Sequence, residues 1–196
     1  MSENKQRIKQ MLLENRGLIT AKQVSACRIP RQRLTEMIDS HEIVRVGRGV
    51  YALPQVLEDE MFVLQYRFSR GIFSHETALY LHGVTDRTPH YFVMTFPQGY
   101  NTESVKQNGV NAKTAVARLY ELGLTVIFSH AGQPLKAYNI ERTLCDIIKS
   151  KSDIQFINQA MKAYANSKEK NISKLLTYAD ELRVKPKILT YLEVLL

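Results

Sequence analysis

Apolar positions recur at helical spacing from the start of the chain. Ile8, Met11 and Leu12 fall on one side of a helix predicted over 2–15, with Lys5, Arg7 and Lys9 on the other, and Asn15-Arg16-Gly17 ends it. Thr20 then precedes a second helix and Gln23 follows three residues later. That spacing makes a capping box in which each side chain satisfies the other's free backbone N–H. Ile19 and Val24 occupy the two staple positions around that cap. The second helix is expected to be short, because Pro30 disfavours helical backbone at Ile29. Pro30 suits the first turn of a third helix, in which Leu34, Met37 and Ile38 share the buried side. Gln32 and Glu36 point away from that side, Arg31, Arg33 and Thr35 flank it, and no side-chain cap is evident. The period then changes from helical to strand. Ile43, Val44 and Val46, then Val50, Tyr51 and Leu53, read as two strands joined at Gly47-Arg48-Gly49, with the glycines expected at positive φ. Arg48 is carried outward at the tip and Arg45 lies nearby.

Helix, turn, helix and ribbon in this order predict a winged helix-turn-helix over residues 1–54, with Pro54 as its stop and a boundary near 54–58. The second domain, 58–196, reads as a small β-sheet packed with helices and a helical tail, so the whole chain is predicted to be α+β. Residues 58–70 form a helix, acidic at its start and basic at its end, as the helix dipole favours, closed by Gly71. Ser74 caps a helix reaching His82, with Gly83 past its end. HYFVMTFP (90–97) is rich in aromatic and β-branched residues and reads as a strand. Residues 98–113 are polar and receive no assignment. Residues 114–120 and 124–130 read as paired strands, with 134–139 as a possible third. Asn139 caps a helix carrying Ile140, Leu144, Ile147 and Ile148 at buried spacing. Ile154, Ile157, Met161 and Tyr164 share a further face. Ile172, Leu175, Leu176, Ala179 and Leu182 share another, and a last helix follows Pro186 to Leu192, Leu195 and Leu196.

Charge sharpens this picture. The 196 residues carry a formal net charge of +8 at pH 7. Residues 1–54 hold ten Lys/Arg against five Asp/Glu, whereas residues 55–196 hold seventeen against fourteen. The excess therefore concentrates in the segment expected to meet a polyanion, and salt should weaken such binding steeply. Helix-turn-helix proteins set the second helix of the motif in the major groove and cross the backbone with the first. The N-terminus has no signal-peptide pattern and no apolar run reaches the length of a membrane helix, so a cytoplasmic protein is expected. Cys27 and Cys145 are expected to be buried thiols at no metal-ligand spacing.

The search for chemistry returns little. The five histidines form no HxxxH pair and no cluster with the cysteines, so no metal or cofactor is expected. Ser74-His75-Glu76 reads as a helix cap, and Arg142 and Asp146, four apart, as an ion pair. There is no GxSxG elbow and no phosphate-binding loop, so no enzyme is expected. A nucleic-acid-modifying enzyme targeted by the winged domain, or an adaptor whose winged domain has lost DNA, are the alternatives to a DNA-binding regulator.

Three blocks in order, VRVGRGVYALP (44–54), SHETALYLHGVTDRTPHYFVMTFP (74–97) and NIERTLCDII (139–148), resemble the AbiEi-type antitoxins of bacterial abortive-infection systems. The resemblance implies a two-domain regulator whose winged domain represses its own operon through inverted repeats, with two copies on double-stranded DNA. It also implies a C-terminal domain that counteracts a nucleotidyltransferase toxin without a stable complex. Carried onto this chain, Arg31, Gln32, Arg33 and Thr35 would read bases, and Thr20, Lys22, Arg45 and Arg48 would contact the backbone or form the wing.

Overall fold

A computed structural model describes residues 3–56 and 59–195, so Leu57 and Glu58 in the expected boundary lie outside the described residues, as does Leu196. The chain forms two compact units, residues 1–69 with 128–134 and residues 70–127 with 135–196. The fold is an N-terminal winged helix-turn-helix followed by a mixed sheet-and-helix region.

The first unit contains α1 (Glu3–Glu14), β1 (Leu18–Thr20), α2 (Ala21–Ala26), α3 (Gln32–Asp39), β2 (Val44–Gly47), β3 (Val50–Ala52) and α4 (Glu60–Arg67). Ile8, Leu12, Ile19, Val24, Leu34, Met37 and Ile43 bury together, joining the first three helices into one core. The ribbon is a three-stranded sheet in the order β1-β3-β2. The third strand was not legible because Leu18–Thr20 is too short to show alternation, and all three residues are buried. Between Arg45 and Gly47 the register shifts, leaving Val46 as the extra residue of a bulge. Only one of the two wing glycines has positive φ, Gly49 at 76°. Gly47 is required for a different reason: a Cβ there would lie 2.5 Å from Val63 Cγ1. Helix α4 covers this sheet, with Phe62, Val63 and Tyr66 packed on Leu18, Val50 and Ala52. It is shorter than the predicted 58–70, capped by Asp59 and ended by Phe68 before Gly71 is reached. Residues 128–134 complete the unit. The Ser129 hydroxyl donates to the Asp59 carboxylate, and Gln133 Nε2 donates to the Asn15 carbonyl at 2.9 Å.

The second unit is built on a five-stranded sheet of order β6-β5-β4-β8-β7. Its strands are β4 (Ile72–Phe73), β5 (Val93–Pro97), β6 (Asn111–Ala115), β7 (Leu124–Phe128) and β8 (Pro134–Tyr138). Strand β4 runs antiparallel to β5 and parallel to β8, while β5 and β6 are parallel. The unassigned 98–113 segment supplies α6 (Glu103–Gln107) and the start of β6, a crossover that parallel neighbours require. The expected pairing of 114–120 with 124–130 is overturned. Thr114 and Ala115 finish β6 opposite Phe96 and Pro97, and the chain then turns into α7 (Ala117–Glu121). Strands β6 and β7 therefore lie at opposite edges, and β7 pairs with β8 instead.

Helices α5 (His75–Leu81), α8 (Ile140–Lys149), α9 (Ile154–Asn166), α10 (Ile172–Glu181) and α11 (Lys185–Leu195) complete the unit. Leu144, Ile147, Ile157, Met161, Leu175 and Ile188 share one core. Ile154 is not on the buried face of α9; it is 60% exposed, and Phe156 packs in its stead. Asn139 caps α8 as expected, its Oδ1 accepting from Arg142 N at 3.0 Å. The expected Arg142–Asp146 pair forms, at 3.1 Å, and it lies in the interior. Arg142 also donates to the Leu122 carbonyl at 2.8 Å and to that of Leu119, with its guanidinium 4.2 Å from the centre of the Tyr138 ring. Cys145 is buried, which pushes its thiol up to about 12. Cys27 is exposed, against expectation, because short α2 buries only Ala21 and Val24.

Among the described residues, five helices stop at a residue with positive φ that is not glycine: Arg16, Arg28, His41, Lys151 and Arg183. After α2, for example, Ile29 N reaches Val24 O and Arg28 N reaches Ser25 O, the paired bonds of a Schellman stop. Helix α2 thus ends at Arg28, before Pro30 can act. A basic side chain at a helix C-terminus suits the dipole, but L-residues pay a steric penalty in this conformation. Arg183→Gly should therefore stabilise the protein by about 0.5–1 kcal/mol in urea denaturation. Gly83→Ala, at φ 66° with open space around the added Cβ, should destabilise it by about 1 kcal/mol.

Candidate nucleic-acid interface

The cap on α2 fixes the start of the interface. Thr20 N donates to Gln23 Oε1 at 2.7 Å, and Gln23 N donates to Thr20 Oγ1 at 3.2 Å. Ile19 and Val24 are both fully buried, as the staple requires. Thr20 is itself only 4% exposed, so its hydroxyl serves the cap and is not presented to solvent. Lys22, two residues into the helix, is exposed. Ala21 N donates to Gly49 O at 2.8 Å, which ties the first turn of α2 to the wing turn that carries Arg48.

Helix α3 buries Leu34 and Met37 and leaves Arg31, Gln32 and Thr35 exposed. It has no side-chain cap; Arg33 N and Leu34 N bond the Pro30 and Arg31 carbonyls in a tight lead-in turn. Two guanidinium groups here have internal partners. Arg31 Nε donates to Ser25 Oγ on α2 at 3.0 Å. Arg33 Nη1 donates to both carboxylate oxygens of Glu36, at 2.9 and 2.7 Å. Arg33 and Glu36 are both about one-third exposed, so water and salt compete with the pair. Sequence reasoning missed Ser25 as the group that orients Arg31. The two are six residues apart across a turn set by Arg28, and no local spacing rule connects them.

On the wing, Arg45 and Arg48 are both exposed. Arg45 Nε donates to the Gly47 carbonyl at 3.3 Å, holding its side chain along the ribbon. The structure therefore links α2 to α3 through Ser25 and Arg31, and α2 to the wing through Ala21 and Gly49. Among the described residues, no group of three or more His, Cys, Asp or Glu could hold a metal ion. No helix among them is long and apolar enough to cross a membrane.

Residues 6–54 match the model of a family described as "Transcriptional regulator, AbiEi antitoxin". The chain is also similar in structure to the RV2827C protein from Mycobacterium tuberculosis. The TM-score is 0.50 and the identity 12%, over 98% of this chain and 82% of that one, a likeness of fold. No curated protein matches the sequence. The N-terminal segment is thus a winged helix-turn-helix similar to regulators of the AbiEi antitoxin type.

Behind α3, one carboxylate holds the opening helix. Glu42 pairs with Lys5 at 3.0 Å and Lys9 at 2.6 Å and accepts from Ser40 Oγ at 2.7 Å. The hydrogen bonds from Lys9, Ser40 and Lys5 lower its carboxyl from 4.5 to about 2. A depressed carboxylate contributes stability above its unfolded pKa and loses it as pH falls through the folded value. Wild-type protein should exceed Glu42→Gln in stability above pH 4.5, and the advantage should shrink as the pH approaches 2. Urea denaturation of both proteins across that range checks this.

Proposed function

We propose that this protein is a sequence-specific DNA-binding transcriptional repressor. It acts on its own operon through inverted repeats and counteracts a nucleotidyltransferase toxin encoded beside it, in an abortive-infection system. The observation that carries the reading is the family match over residues 6–54, on a segment whose α3 leaves Arg31, Gln32 and Thr35 exposed. The excess of basic residues in 1–54 supports the same partner.

Binding is assigned to residues 1–54, and antitoxicity to residues 58–196 without a stable complex with the toxin. Arg31, Gln32, Arg33 and Thr35 read base edges in the major groove, the place a second helix of this motif takes. Lys22, Arg45 and Arg48 contact phosphates. Thr20 contributes by fixing the α2 terminus through its cap. Two copies bind one inverted repeat, and the protein works in the cytoplasm.

Ser25 pre-positions Arg31, and Glu36 restrains Arg33 until DNA takes it. Arg31→Ala or Arg33→Ala should cost about 1–3 kcal/mol on operator DNA and relax base preference, if the guanidinium makes a bidentate guanine contact. Arg48→Ala should weaken all sequences alike and shallow the salt slope by about one. Glu36→Gln removes a carboxylate and frees Arg33, so it should tighten binding to non-operator DNA at low salt. Gel shifts on the upstream region of the operon, run at several salt concentrations, test the set. Unchanged affinity in every variant would remove this interface. A reporter fused to the same promoter tests repression, and co-expression with the neighbouring nucleotidyltransferase tests antitoxicity.

A further inference from the structure

The second unit contains a cavity that the DNA reading does not use. It has a volume of about 310 Å3 and is lined in part by His75, Arg87, His90, Tyr91 and Lys113. A second cavity of about 350 Å3 shares His75, Lys113 and Ser150 with it. Their volumes fall at the lower end of the roughly 300–1,000 Å3 typical of small-ligand sites.

His75 is the unusual residue here. Among the described residues, the five other non-glycine residues with positive φ follow helices; His75, at φ 54°, instead begins one. Ser74, expected to cap α5, makes no such bond; its Oγ accepts from Thr95 Oγ1 at 2.8 Å and lies 3.0 Å from His75 Nδ1. Thr95 donates to Ser74, and Ser74 in turn lies within hydrogen-bond distance of the His75 ring. Burial pushes the imidazole below its ordinary pKa. A strained residue anchored by two buried hydroxyls, with its ring in a cavity wall, is a built feature.

The cavity wall carries two carboxylates and two cations, and they are differently engaged. Glu76 accepts from Ser152 Oγ at 2.7 Å, and Asp153 caps α9 by accepting from Phe156 N at 3.0 Å. Among the described residues, neither Lys113 nor Arg87 has a carboxylate partner. Beside these cations, Tyr91 is 55% exposed and offers an aromatic face, and the Asn111 side-chain amide offers a donor and an acceptor. Cations for an anionic group, a ring for stacking and an amide for an edge are the parts that recognise a nucleotide.

We propose that this cavity binds a nucleotide, with its phosphates at Lys113 and Arg87 and its base against Tyr91. The proposal is independent of DNA binding by the first unit, and a separate variant distinguishes the two. Isothermal titration of the full chain with ATP, GTP, CTP and UTP should give saturable binding of at least one of them. Lys113→Met and Arg87→Met should each weaken it tenfold or more, while Arg48→Ala leaves it unchanged. Tyr91→Ala should weaken the nucleotide but not inorganic pyrophosphate, which separates a nucleotide site from a general anion site. Arg87 and Tyr91 are exposed, so these variants keep the fold, and circular dichroism checks that for Lys113→Met. Absence of saturable binding at millimolar nucleotide would overturn the proposal. So would binding retained by the Lys113→Met/Arg87→Met protein, binding lost in Arg48→Ala, or pyrophosphate bound as tightly as any nucleotide with Tyr91→Ala without effect.

Discussion

Three backbone pairs, Leu18 with Ala52, Ile19 with Tyr51 and Thr20 with Val50, hold the wing to the helices. Thr20 ends this strand and caps α2 at once, so strand register and helix start are set by the same residue. A slip of one position would turn Leu18 and Thr20 to the face that Ile19 occupies, exchanging residues between two buried clusters and undoing the cap. The rest of the proposed interface inherits its geometry from that register. The start of α2 bonds the wing turn, and Ser25 near its end holds Arg31 at the lead-in to α3.

In the second unit the corresponding role falls to Arg142. A buried guanidinium is costly unless its donors are met, and removing one partner strands a charge in the interior. Here Asp146, two backbone carbonyls and the Tyr138 ring surround it. The carbonyls belong to Leu119 within α7 and to Leu122 just past its end, so one side chain on α8 fixes a turn far away in sequence. Gly123 belongs to the same contact: a Cβ there would fall 2.6 Å from Arg142 Cβ. The polar interior of this unit therefore specifies its topology, while the apolar cluster of α8 to α11 supplies most of its burial.

What could be read from the sequence was what local rules govern. The capping box, the staple, the buried side of α3, the wing turn and the Asn139 cap all follow from residue types at fixed short spacing. The elements that escaped depend on partners remote in sequence. Leu18–Thr20 becomes a strand only because Val50–Ala52 lies alongside, and 111–115 only because β5 does. Of the stops made by a residue other than glycine, the one at Arg16 falls in the expected Asn15-Arg16-Gly17, whereas those at Arg28, Lys151 and Arg183 carry no glycine to announce them although their hydrogen bonds are ordinary. Of the proposed contact residues, exposure is legible from the helical wheel. The engagement of Arg31 by Ser25 is a tertiary fact, and so is the burial of Thr20 within the sheet.

The return of residues 128–134 to the first unit has a consequence for how this gene can be cut and recombined. A fragment ending at Pro54 would leave Leu18, Val50 and Ala52 without Phe62, Val63 and Tyr66 above them. One extended through Ser69 would still lack the Ser129 and Gln133 contacts to Asp59 and Asn15. No single uninterrupted stretch of the polypeptide consists of the first unit alone. Swapping this module between proteins at one crossover point would thus carry an unfinished fold, and inheritance of the two units as a linked pair is the economical outcome.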